Sequence, residues 1–190
     1  MTDTTCSTVY FEQTGPKNTS ETLRLAKKRA DELGIRSVVV ASTSGETGVK
    51  ASEVFKGYNL VVVSHVTGFT QPNVQQLLPK NREIIENRGA NVLTAAHAFG
   101  TLGRAVANKF ESIQLDGIVS GVLRLFGQGV KVGCEIACMA SDAGLIRVGE
   151  DVVVVGGTGS SADTALVLVA SNTHTFFDLK IREVICKPRL

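Results

Sequence analysis

The stretch Val38-Val39-Val40-Ala41-Ser42-Thr43-Ser44-Gly45-Glu46-Thr47-Gly48 decides the fold class. Its first four residues form an unbroken apolar, largely β-branched run. That pattern marks a strand covered on both faces, because a half-exposed strand would alternate apolar and polar residues. The next seven residues are hydroxyl side chains, glycines and one carboxylate, which predicts a loop. Helical spacing follows from Val49 to Phe55. Strand, polar loop and helix in that order make a β-α unit of a parallel sheet.

Working outward, the same grammar repeats. Asn18-Thr19-Ser20-Glu21 predicts a helix start, with an N-cap acceptor and a carboxylate three residues on. Leu23, Ala26, Ala30 and Leu33 then predict an amphipathic helix ending at Gly34. Strands are predicted at 8–11, 60–63, 91–94 and 151–155. Residues 165–169 and 179–186 read as two final strands without a helix between them, so they join antiparallel and the sheet is mixed. The last of them alternates in the manner of a half-exposed edge. Residues 71–88, with Pro72 and Pro79, predict one or two short helices. Residues 97–114 and 117–145 carry further helical spacing, broken at Gly127 and Gly129. No repeat or linker divides the 190 residues, so one domain over 1–190 is expected.

Composition excludes several classes. A balance of 20 basic and 18 acidic residues gives a net charge of +2, too weak for the basic face of a nucleic-acid binder. No Trp, two Tyr and eight Phe leave no platform for stacking bases. The N-terminus lacks the features of a secretory signal, and no apolar run approaches the ~18 residues needed to span a membrane. A cytoplasmic protein without membrane partners is therefore expected. Cys134 and Cys138, four residues apart, read as packing groups on one helix face rather than as half of a metal site.

Chemistry concentrates in two loops. In Ser42–Gly48, the residues Thr43, Ser44, Gly45, Thr47 and Gly48 can surround a phosphate with backbone amides, hydroxyls and the positive end of a helix. A plain helix cap uses the same residues, and the sequence leaves the two readings open. Glu46 is expected to point to solvent. The second loop holds Gly157-x-Gly159-x-x-Ala162, which formally matches a dinucleotide fingerprint. Residues 163–170 are too short and β-branched for the crossover helix that fingerprint requires, so it is read as a ligand-facing turn between strands. His65 and His97 each follow a strand and should share the edge with the first loop. His174 reads as a loop residue. Metal spacing, a P-loop, a nucleophile elbow, kinase signatures and a close carboxylate pair are all missing.

The helix from Asn18 to Gly34, the strand 38–41 and the loop 42–48 resemble the C-terminal α/β domain of pyruvate kinase. The stretches Gly156–Ala165 and Phe176–Val184 are similar to stand-alone archaeal and bacterial proteins of the pyruvate kinase alpha/beta domain kind. The resemblance covers nearly the whole chain and implies a three-layer α/β/α fold with a mostly parallel mixed sheet. It also implies flavin mononucleotide as cofactor. The phosphate would lie against Thr43, Ser44, Gly45, Thr47 and Gly48. The ring would lie near His65, Thr67, Gly68, Phe69 and His97, and against Gly157, Thr158, Gly159, Ser160, Asp163 and Thr164. Pyruvate kinase activity is not expected, since 190 residues cannot hold that enzyme's barrel. The alternative is a regulatory sensor of a phosphorylated metabolite such as a sugar phosphate. A flavin-dependent oxidoreductase activity and assembly into a homo-oligomer are left open. A Gly45→Asp exchange is expected to repel the phosphate while the fold survives.

Overall fold

The computed structural model describes residue 3 and residues 5–189. Its strands are β1 (Val9–Phe11), β2 (Ser37–Ala41), β3 (Asn59–Ser64), β4 (Asn91–Thr94), β5 (Asp151–Gly156), β6 (Thr164–Val169) and β7 (Lys180–Pro188). Its helices are α1 (Thr19–Leu33), α2 (Glu46–Val54), α3 (Pro79–Asn87), α4 (Leu102–Phe110), α5 (Leu115–Arg124) and α6 (Gln128–Asp142). Among the described residues, no helix is long and apolar enough to cross a membrane.

One seven-stranded sheet runs in the order β1-β7-β6-β5-β2-β3-β4. Strands β2, β3, β4 and β5 are mutually parallel. Strand β6 is antiparallel to both β5 and β7, and β1 lies parallel to β7. Six strands thus share one direction, and β6 alone opposes them, as its lack of a preceding crossover helix dictates.

The strand pleat sends alternate residues to two separate cores. Val38, Val40, Leu60, Val62, Val153 and Val155 pack under α1 and α2 with Leu23, Ala26, Ala51 and Phe55. Val39, Val61, Val63, Val152 and Val154 pack under α6 with Val130, Cys134, Ala137 and Cys138. The result is three layers, α/β/α, as the resemblance implies. Both helical cysteines are buried, and desolvation pushes each thiol up to about 12. They therefore behave as small apolar groups.

Several local expectations give way. Asn18 does not cap α1: it sits in helical geometry at the end of a 3₁₀ turn, Pro16–Asn18, and its side chain donates to Gln13 O at 2.6 Å. Glu21 faces Arg24 instead of reaching back to the cap. Residues 71–88, by contrast, hold one short helix as expected, α3, which starts with Pro79 in the first turn, where a missing N–H costs nothing. Gly127 (φ +125°) breaks the 117–145 region, whereas Gly129 lies inside α6. A Cβ there would stand 2.2 Å from Thr164 Oγ1, so the glycine serves close packing of α6 on β6. Strand β7 is covered by β1 only over Cys186–Pro188, so the first part of β7 is paired with β6 alone.

Gly48 lies inside α2, where alanine normally stabilises by up to ~1 kcal/mol. A Cβ at this position would stand 2.7 Å from Ile85 Cδ1 and 2.8 Å from Val62 Cγ1, both fully buried. Overpacking of this kind costs ~1–3 kcal/mol, so the clash outweighs the propensity gain. Gly48→Ala is expected to lower the urea midpoint at unchanged m-value. A raised midpoint would show that α2 does not press on the sheet at this point.

Candidate functional site

Because β2, β3, β4 and β5 are parallel, their carboxyl ends deliver Ala41, Ser64, Thr94 and Gly156 to the same edge of the sheet. Ligands collect at this edge in open α/β folds. Two adjoining hollows of about 260 and 200 Å³ lie there. Ala41, Ser42, Thr43, His65, Phe69, Gln128 and Val132 line both, so they are lobes of one cleft.

The first lobe brings Thr43, Ser44 and Thr47 together with Gly157, Gly159, Ser160 and Ser161 from the loop after β5. Helix α2 starts at Glu46, three residues before the apolar spacing begins, because its first turn is capped from the loop. Ser42 Oγ accepts from Gly48 N–H at 3.0 Å, and Ser44 Oγ makes a long contact of 3.5 Å with Glu46 N–H. Glu46 points to solvent. The amides of a helix's first turn have no partner within the helix, so Thr47 N–H lies in the region where an anion is favoured.

Other residues named from the sequence are placed differently. Gly45 (φ +93°) packs against α3, where a Cβ would stand 2.6 Å from both Asn81 Cβ and Leu77 Cδ1. Gly45 and Gly48 therefore shape the loop from beneath. The expectation that Gly45→Asp leaves the fold intact fails on this packing and on the left-handed backbone. Thr67 and Gly68 stand in an exposed turn beside the cleft, where Gln75 Nε2 donates to Thr67 Oγ1 and Gly68 N–H donates to Val74 O. Asp163 is fully buried behind the second glycine loop; its Oδ2 accepts from Thr158 N–H at 3.3 Å and Gly15 N–H at 3.4 Å. Thr164 Oγ1 donates to Asp163 Oδ1 at 3.0 Å. Thr158, Asp163 and Thr164 thus tie the loop to the chain entering α1, outside the cleft lining.

The second lobe contains an aromatic cluster and a set of charges. His65, Phe69 and His97 stack in a triangle with centroid separations of 4.4, 5.1 and 5.3 Å. His65 Nδ1 bonds Gln76 Oε1 at 2.8 Å. His97 Nε2 accepts from Val66 N–H at 3.3 Å, which puts the proton of the neutral ring on Nδ1. Arg104 lies over the Phe69 ring at 5.1 Å. Lys131 and Glu135, one turn apart on α6, form a close buried ion pair, and Glu135 Oε1 also accepts Phe99 N–H at 3.1 Å. Burial lowers the Lys131 ammonium below its ordinary range, against the pull of Glu135.

Arg104, Arg124, Gln128, Lys131 and Glu135 were not reached from the sequence. The last two carry a readable signal: a Lys and a Glu four apart in an otherwise apolar helix segment, Val130–Ala140. The arginines carry none, because their convergence depends on how α4 and α5 sit against α6.

An open α/β domain with a cleft at its carboxyl edge is the class these features define. A family model described as "Pyruvate kinase, alpha/beta domain" matches residues 20–169, and the chain belongs to that family. Among solved structures it is similar to pyruvate kinase from Cryptosporidium parvum at 13% identity, covering 80% of this chain and 22% of that one, with a TM-score of 0.41. A second pyruvate kinase structure from the same organism gives 12%, 80%, 23% and 0.43. The chain thus spans less than a quarter of the pyruvate kinases it matches.

Burial holds the folded-state pKa of His97 below its ordinary value of 6.5; His65, Lys131 and Arg104 push the same way and Glu135 opposes. A lowered histidine pKa means that the unfolded chain binds the proton first. The stabilising contribution is therefore complete above ~6.5 and is lost as pH falls through the folded value. Wild-type protein should lose more stability between neutral pH and pH ~5 than His97→Gln, whose side chain does not titrate in this range. Equal acid sensitivity in chemical denaturation would show that His97 is not the responsible group.

Proposed function

We propose that the cleft binds flavin mononucleotide, with its phosphate in the first lobe and its ring toward the aromatic cluster of the second. The supporting observation is that a hydroxyl-rich helix entry and a His65–Phe69–His97 cluster line one continuous cleft. Thr43, Ser44 and Thr47 supply three hydroxyl donors, and α2 adds its N-terminal amides. Phe69 and the two imidazoles offer flat apolar and polar edges to a tricyclic ring. The combined hollows fall in the ~300–1,000 Å³ range of small-molecule sites. Bound there, the flavin would bring one- and two-electron chemistry to the cleft.

Purified protein should show oxidised-flavin absorbance or acquire it with added flavin mononucleotide. Riboflavin, which lacks the phosphate, should bind at least tenfold more weakly, a gap of about 1.4 kcal/mol. Thr47→Val should close much of that gap, since a hydrogen bond to a charged group contributes ~1.5–3 kcal/mol. Failure to take up any flavin sinks the reading. Thermal stabilisation by sugar phosphates without a response to flavin would favour the metabolite sensor instead.

A further inference from the structure

Two of the three cations lining the second lobe have no ion-pair partner among the described residues. Lys131 is committed to Glu135, and that carboxylate is further occupied by the Phe99 amide. Arg104 and Arg124 line the same hollow, yet among the described residues no carboxylate lies within ion-pair distance of either. The Arg124 Nε donates to Gln128 Oε1 at 2.7 Å, which fixes the guanidinium and leaves its two terminal nitrogens free to donate. Arg104 is held over Phe69 by its cationic face. Asp116 shares the neighbouring hollow between α4 and α5 with both arginines, and a Cβ on Gly100 would stand 3.4 Å from Arg104 Nη2 and 3.9 Å from Asp116 Oδ2; the carboxylate stays outside ion-pair distance and accepts Gly117 N–H at 3.0 Å.

Two guanidinium groups facing one hollow repel one another until an anion enters, and the Lys131–Glu135 pair beside them is already matched. A guanidinium fork matches the paired oxygens of a carboxylate or phosphate, and nothing else in the lobe competes for that role. We propose that Arg104 and Arg124 form a second anion subsite, which takes the carboxylate or phosphate of a small molecule distinct from the ligand of the first lobe. Such a molecule would stand beside Phe69 and His97, which line the same hollow. The assignment goes beyond the flavin reading and does not depend on it.

Calorimetric titration at low ionic strength with inorganic phosphate and with malonate tests this. Wild-type protein should bind one or both saturably, and the tighter of the two names the oxyacid class. Arg104→Gln/Arg124→Gln should weaken malonate binding at least tenfold, whereas Thr47→Val should not change it; of the phosphate binding, which the first lobe shares, only the arginine-dependent part should be lost. Both arginines are exposed, so the fold should survive; Arg104→Lys/Arg124→Lys, which keeps the charge and removes the fork, should weaken binding less. Anion binding untouched by the arginine exchange overturns the subsite. So does a parallel loss of flavin mononucleotide binding, since the lobe would then be the flavin's own phosphate seat. Protein that binds no flavin but shows the anion pattern defeats only the flavin reading.

The outer faces of α4 and α5 are apolar. Leu102 and Phe110 on α4, and Leu115, Ile118, Val122 and Leu125 on and just after α5, are each more than half exposed. With Ile113 between the helices, seven large apolar side chains stand more than half exposed between Leu102 and Leu125, where a monomer's surface hydrophobics are normally scattered singly, and a standard interface takes ~20–30 residues a side. Lys109 and Glu111, of opposite sign, flank the patch and suit a twofold pairing. We infer that this face pairs with the same face of a second copy of the chain.

Sedimentation equilibrium should give a dimer for the wild type and a monomer with an unchanged circular dichroism spectrum for Ile118→Glu/Val122→Glu. Should that variant misfold, Leu102→Ser/Phe110→Ser on α4 supplies the same readout. A monomeric wild type overturns the inference, as does a dimer that both variants leave intact.

Discussion

Strand β2 lies between β3 and β5, and Val38, Val39 and Val40 have no contact with water on either face. Every polar group of this backbone must be settled in the ladder, so both neighbours must be present and in register. Both layers of helix must also be in place, since either valine row would otherwise face solvent. Gly48 of α2 and Gly133 of α6 let the two layers approach the sheet: a Cβ on Gly133 would stand 2.9 Å from Val154 Cγ2. The strand can release polar residues only at its end. Functional groups therefore gather beyond Ala41 as a consequence of how the core is sealed.

The buried Lys131–Glu135 pair stands against that apolar logic. Replacing such a pair by apolar residues is often neutral or stabilising, so stability alone gives little reason to keep it. Its position supplies a better one. Glu135 holds the turn after β4 through the Phe99 amide, and Lys131 presents positive charge at the floor of the cleft. Removing either partner would leave the other charge unmatched in a desolvated place, which makes the pair a rigid seam between helix α6 and the cleft.

Much of the sheet was legible because burial on both faces writes itself as unbroken valine runs. Asp151–Gly156 and Ser37–Ala41 could hardly be anything else, and the antiparallel turn to β6 followed from a segment too short for a crossover. The failures share a cause. Asn18 lost its capping role to a 3₁₀ turn set by Pro16, and Gly129 joined α6 because Thr164 required close approach. In each case a tertiary contact outweighed a local signal.

The cleft divides along the same line. Its first lobe is built from one contiguous loop, Ser42 to Thr47, with the glycine turn after β5, so residue types and order were enough to mark it. Its second lobe draws Arg104, Arg124 and Lys131 from three helices, and only the angles between those helices bring the charges together. Helices α4 and α5 contribute little to either core and keep wet, mixed surfaces: arginines toward the cleft and leucine, isoleucine and valine outward. Helix α5 is anchored by buried Ser120, which donates to Phe99 O at 3.4 Å, beside the Phe99 amide that Glu135 accepts. The turn after β4 thus joins α5 to α6 at the floor of the second lobe, and the position of Arg124 follows from that junction rather than from any signal within α5.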